Sequence, residues 1–146
     1  MTDRTPYDSR LLLDQSGPLS RDTALAALAQ AASLVASADF LDAARLYQRV
    51  IGFNDASITG AAMVGLGEAL HRLDRDDDAL GQWEAATELG ENEYTYVAWR
   101  NVAAARVRAG DLRGALGAYR EADRRAPREE KAEIANRMGW LSKELG

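Results

Sequence analysis

Three aspartates stand at alternate positions, Asp74, Asp76 and Asp78, as they do at the start of a calcium-binding loop. Such a loop also needs a glycine at its sixth position for a sharp turn and a bidentate glutamate at its twelfth. Those places hold Ala79 and Ala85, so the run reads as a solvated turn leading into a helix cap. His71 is the one histidine and the chain has no cysteine. No second metal ligand stands at a useful spacing, and an exposed histidine at a helix end suits the negative pole of the helix dipole. Gly65-Leu66-Gly67 lacks the preceding strand that a nucleotide-binding turn requires, which leaves close helix packing as its explanation. Glu129, Glu130 and Glu133 sit where acidic residues favour the start of a helix. No Ser-His-Asp set occurs in a recognisable context. The expectation is a chain without catalytic residue, metal or cofactor.

What positions these residues is a repeat. Ala79-Leu80-Gly81-Gln82-Trp83-Glu84-Ala85-Ala86 has a twin at Ala43 to Val50 and another at Ala115 to Ala122, each displaced by 36 residues. Each holds a small residue, an aromatic four later (Tyr47, Trp83, Tyr119) and a small or β-branched residue three after that. A fixed period in this range marks a stack of like units. Lines begin at 24, 60, 96 and 132, and each of the three full lines holds two helical patterns: 24–37 and 40–53, then 60–73 and 78–89, then 96–108 and 112–125. A final helix starts at 132. Asp39, with Ser20 or Asp22 earlier, is placed to cap a helix; Gly90 and Pro127 are placed to stop one. Period-two alternation is missing, so no strand is expected. Short connections make consecutive helices antiparallel neighbours, with Trp99 among the core residues.

Composition agrees. The 146 residues are 47% hydrophobic and 28% charged, a globular balance. A formal charge of −5 argues against nucleic-acid binding, which needs a basic footprint. Lys131 and Lys143 are the only lysines; the arginine bias, with the alanine and glycine content, fits a GC-rich bacterial genome. The N-terminus has no apolar stretch typical of a secretory signal, and no window suits a bilayer span, so a cytoplasmic place is expected.

The lines resemble tetratricopeptide repeats. The third carries Trp99, Gly110, Ala115, Tyr119, Ala122 and Pro127. The second carries Leu66-Gly67, Ala79, Trp83 and Ala86, and the first Ala38, Phe40, Ala43, Tyr47 and Val50. The resemblance covers 24–146 and implies an all-α, right-handed superhelical solenoid of antiparallel helix pairs: repeats 24–59, 60–95 and 96–131, plus a last helix 132–146. The period of 36 exceeds that family's usual 34 and suggests longer turns near Ser57 to Thr59 and Glu91 to Glu93. The resemblance further implies a concave groove lined by the first helix of each pair. Its groove positions fall on Leu25, Leu28, Ala32, Val35 and Ala36, then on Ala61, Val64, Glu68, His71 and Arg72. In the third line they are Val97, Arg100, Ala104, Val107 and Arg108; the last helix gives Glu133, Asn136, Trp140 and Lys143, with Asn101 and Arg137 adjoining. Members that bind chaperones carry Lys and Asn on the first groove helix, where this chain has Leu28 and Ala32, so that carboxylate clamp is not expected.

The expected function is protein–protein interaction, through a groove of Arg72, Arg100, Asn101, Arg108, Asn136, Arg137 and Trp140 that holds a peptide or helix, with an acidic segment favoured by charge. Two alternatives stand beside it. One is a regulatory or scaffolding N-terminal domain of a longer protein, such as a membrane-embedded protease. It is suggested by the end of the fourth line at Gly146 and by the tail 136–146, which resembles soluble repeat regions preceding actinobacterial rhomboid-type proteases. The other is self-association, as a homodimer, through the apolar first helix. Residues 1–20 read as a lead-in, broken at Gly17-Pro18, whose Leu11 to Leu13 would cover the first repeat or enter the groove.

Overall fold

The computed structural model describes residues 19–146; the lead-in cluster Leu11 to Leu13 and the Gly17-Pro18 break lie outside them. The described residues form seven α-helices and no strand: α1 Arg21–Ala36, α2 Phe40–Ile51, α3 Ala56–Arg72, α4 Asp76–Thr87, α5 Thr95–Arg108, α6 Leu112–Arg125 and α7 Lys131–Leu145, the last preceded by a 3-10 turn, Arg128–Glu130. Each helix packs on the next in the chain, which is the expected run of antiparallel pairs.

Local chemistry sets the boundaries. Ser20 caps α1 by accepting from the Thr23 N–H at 3.1 Å. Asp39 stands at the start of α2 but its side chain makes no capping bond. Helix α3 begins at Ala56, not Gly60, because Asp55 caps it by accepting from the Ile58 N–H at 3.1 Å. The stretch Ser57 to Thr59, expected as a long turn, is therefore helical. The Thr59 hydroxyl lies 2.6 Å from the Phe53 carbonyl and 3.3 Å from the Ile51 carbonyl, and its contact with the latter helps satisfy the end of α2. Hydrogen bonding by the Ile58 N–H and by Arg21 holds the Asp55 carboxyl below its usual range. Helix α4 likewise starts two residues earlier than Asp78, with three aspartates in its first turn, where the dipole favours them.

The turns inside the three pairs are one device repeated. Ala38, Asp74 and Gly110 have φ of 62°, 60° and 83°, and they lie one period apart. In each turn the next residue's N–H bonds back five residues: Asp39 to Leu34, Arg75 to Leu70 and Asp111 to Arg106, at 2.8, 2.9 and 2.9 Å. The left-handed residue's own N–H reaches back three residues in every case. This is the Schellman arrangement, which satisfies the orphan carbonyls of a helix end. Only the third turn has the glycine that suits such a φ.

The core runs along the stack as small residues interleaved with single large ones. Ala24, Ala27, Ala43, Ala62, Ala79, Ala98 and Ala115 are buried at the helix contacts, and Leu46, Leu66, Val102, Ile134 and Leu141 fill between them. Tyr47, Trp83 and Tyr119 are buried as the spacing predicts. Trp99 is only half-buried, with the Arg125 guanidinium 5.8 Å from its ring centre.

Candidate functional site

The first helices of the pairs, α1, α3 and α5, form one row with α7, and the way they meet changes along the row. Helices α1 and α3 pack together, α3 and α5 approach at fewer places, and α5 and α7 make no close backbone contact. The reason can be read from one register. Tyr47 lies against α3 where the facing residue is Gly65; a Cβ there would overlap the Tyr47 ring. One period on, the equivalent residue is Asn101, beside Trp83. One period further it is Arg137, beside Tyr119. Along this column the side chain grows from nothing to an amide to a guanidinium, and the helices part in the same order. Trp83 is also held to α3 by its Nε1–H, which donates to the Val64 carbonyl at 3.2 Å, and it lies where Gly67 leaves room.

Three depressions result. One, about 250 Å³, lies between α3 and α5 and is lined by Glu68, His71, Arg72, Trp83, Asn101, Ala104 and Arg108. A second, about 170 Å³, lies between the N-terminal halves of α5 and α7, over Tyr96, Arg100, Asn101, Tyr119, Glu130, Glu133 and Arg137. A third, also about 170 Å³, lies between the C-terminal halves of the same helices, over Val107, Arg108, Tyr119, Arg137, Trp140 and Leu141. Ala104 lines all three, so they form one groove with a small residue at its junction.

Of the residues the resemblance placed here, Arg72, Arg100, Asn101, Arg108, Arg137 and Trp140 line this groove. Asn136 is exposed and lines none of the three. It is rotated about 100° from Arg137 on α7, which turns it away from α5. Lys143 and the apolar residues of α1 also lie outside them; Leu25 there is 43% exposed. Sequence reasoning assigned Tyr119 to the core alone and passed over Tyr96, yet both floor the groove. Burial raises the pKa of both hydroxyls, so they stay protonated and keep their donor character at neutral pH. The Tyr96 Oη is buried, with Arg100 and Glu130 as its polar neighbours.

The groove is less basic than its arginines alone suggest. Four guanidinium groups face three carboxylates, Glu68, Glu130 and Glu133. Arg72 is paired with Glu68 at 3.1 Å and rests 5.7 Å from the Phe40 ring centre; Arg137 approaches Glu133 at 3.5 Å. Arg100 lies over the Tyr96 ring, 5.6 Å from its centre, and neither it nor Arg108 makes an ion pair among the described residues. His71 is half-buried rather than exposed, its Nδ1 2.6 Å from Asp76 Oδ1. Asp78 is held by Arg75 at 2.6 Å. Among the described residues no group of three or more acidic, histidine or cysteine side chains could hold a metal ion, and no helix is long and apolar enough to cross a membrane.

No protein-family profile matches the chain, and no curated protein matches it. Solved structures do. The type III secretion chaperone SycD of Yersinia enterocolitica, in complex with a peptide of the translocator YopD, is similar with a TM-score of 0.77 at 15% identity, over 89% of this chain and 100% of that one. PcrH from Pseudomonas aeruginosa gives 0.72 at 20% identity, over 86% and 96%. PcrH in complex with the chaperone-binding region of PopB gives 0.69 at 22%, over 86% and 99%. At these identities the likeness establishes the tetratricopeptide-like helical fold. It lends nothing to the resemblance between the tail and rhomboid protease regions.

Proposed function

We propose that this chain is a protein–protein interaction module, not an enzyme, which seats a segment of a partner protein in the groove across α3, α5 and α7. The observation that carries this reading is the set of three depressions meeting at Ala104, opened by the Gly65, Asn101, Arg137 series. An open cleft with aromatic floors, exposed Trp140 and two arginines free of carboxylates has the composition of a recognition surface. Similar chains crystallised with a peptide of YopD and a region of PopB support a partner segment as the kind of ligand. The surplus of guanidinium groups favours an acidic one, and we place the module in the cytoplasm. The test is selection of peptides from a random library on the full chain, then titration against Ala104→Arg. Loss of binding with an unchanged melt supports the groove; undiminished binding refutes it. Leu25, exposed on α1, keeps a homodimer as a second reading, which a mass measurement in solution decides.

A further inference from the structure

The three depressions differ in charge. Those containing Arg72 and Arg100 hold glutamates of their own. The one between the C-terminal halves of α5 and α7 has Arg108 and Arg137 in its walls and no carboxylate. Arg108 has no ion-pair partner among the described residues, and Arg137 makes only the 3.5 Å approach to Glu133 within its own helix. The rest of the lining is apolar: Val107, Leu141 and the Tyr119 ring, with the Trp140 indole, 49% exposed, at the lip. The volume of about 170 Å³ suits one large side chain. Trp and Arg together are the residue types that dominate interface energetics, and a cationic rim without counter-charge selects against basic neighbours.

Resting on the interaction-module reading above, we propose that this pocket is the anchor of the groove, and that it takes a bulky apolar side chain with an aspartate or glutamate one or two residues away. The apolar group packs on Trp140 over Tyr119 and Leu141. The carboxylate meets Arg108, since one or two residues of extended chain span about 3–7 Å. Arg137 lies close enough to exchange Glu133 for the incoming acid. A planar guanidinium can grip that acid with two hydrogen bonds.

The probe is a random peptide library selected on the full chain, with the enriched peptides titrated by fluorescence anisotropy at low salt. Selected peptides should carry an acid within two positions of a large apolar residue. Trp140→Ala should weaken them at least tenfold without shifting the helical melt. Arg108→Gln should erase the difference between each peptide and its Glu→Gln counterpart, a difference expected to be at least fivefold on the wild type. Peptides blocked by Ala104→Arg but indifferent to both Trp140→Ala and Arg108→Gln would overturn the anchor while leaving the groove standing. Peptides that ignore Ala104→Arg, or a library yielding no binder, would overturn the groove and the anchor with it. Should Ala104→Arg fail to fold, Asn101→Arg obstructs the adjoining junction.

Discussion

Tyr47 and Tyr119 occupy the same place in their repeats, two periods apart, and both are buried. Around Tyr47 the seam is shut, because Gly65 lets α3 close onto the ring. Around Tyr119 it stands open, because Arg137 holds the equivalent position and two cavities flank the ring. The repeat supplies the same wedge each time; the residue opposite decides whether it seals a core or floors a site. Nearest-neighbour packing of this kind lets one end of a solenoid specialise without disturbing the other.

The largest expected effect tests the shut seam. Tyr47→Ala should cost about 3–5 kcal/mol in chemical denaturation, as buried aromatic truncations do. Tyr119→Ala should cost only about 2–3 kcal/mol, since its ring already borders open space. Equal costs at both would break the comparison. Next in size is a reversal of sign. Gly67→Ala should destabilise by about 1–3 kcal/mol, because overpacking against the buried Trp83 ring outweighs the gain in helix propensity. Gly139→Ala, at the register-equivalent position of α7 with nothing near its Cβ, should stabilise by about 0.8–1 kcal/mol.

The turns, alike at both ends, serve as a control. Ala38→Gly and Asp74→Gly should each raise stability by about 0.5–1 kcal/mol, since both residues sit at positive φ where a Cβ is strained. Gly110→Ala should lower it by a similar amount. Gains at Ala38 and Asp74 mirrored by an equal loss at Gly110 would show that the difference between the ends lies in the seams and not in the turns.

The helix pairs, the aromatic wedges and the all-α fold were legible in the sequence because they repeat. What specialises the molecule lies where the repeats differ, and aligning twins directs attention away from such positions. Gly65, Asn101 and Arg137 stand in one column of the 36-residue register, yet only the structure shows that this column faces the preceding aromatic. The fate of the arginines was closer to hand. Arg72 and Arg137 each have a glutamate four residues earlier, the spacing of an in-helix ion pair. Arg100 and Arg108 have Tyr96 and Ala104 there instead, and these two make no ion pair. Ser57 to Thr59 was misread as a turn because Gly60 resembled a boundary, when the Asp55 cap had already started α3.

The smallest expected effect concerns Arg100. Arg100→Lys should leave the melt unchanged and weaken a selected acidic peptide roughly three- to tenfold in anisotropy titrations, because an ammonium cannot copy the planar fork of a guanidinium. Added salt should weaken wild-type binding steadily, as exposed charges are screened over about 8–10 Å.

In the proposed function a partner binds in the open seam between α5 and α7. Backbone amide shifts followed by NMR, as a library-selected peptide is titrated into the full chain, locate that binding residue by residue. Perturbations should centre on Ala104, Arg108, Arg137 and Trp140 and fade toward α1. Perturbations centred on α2, α4 and α6, or on the Tyr47 seam, would contradict it.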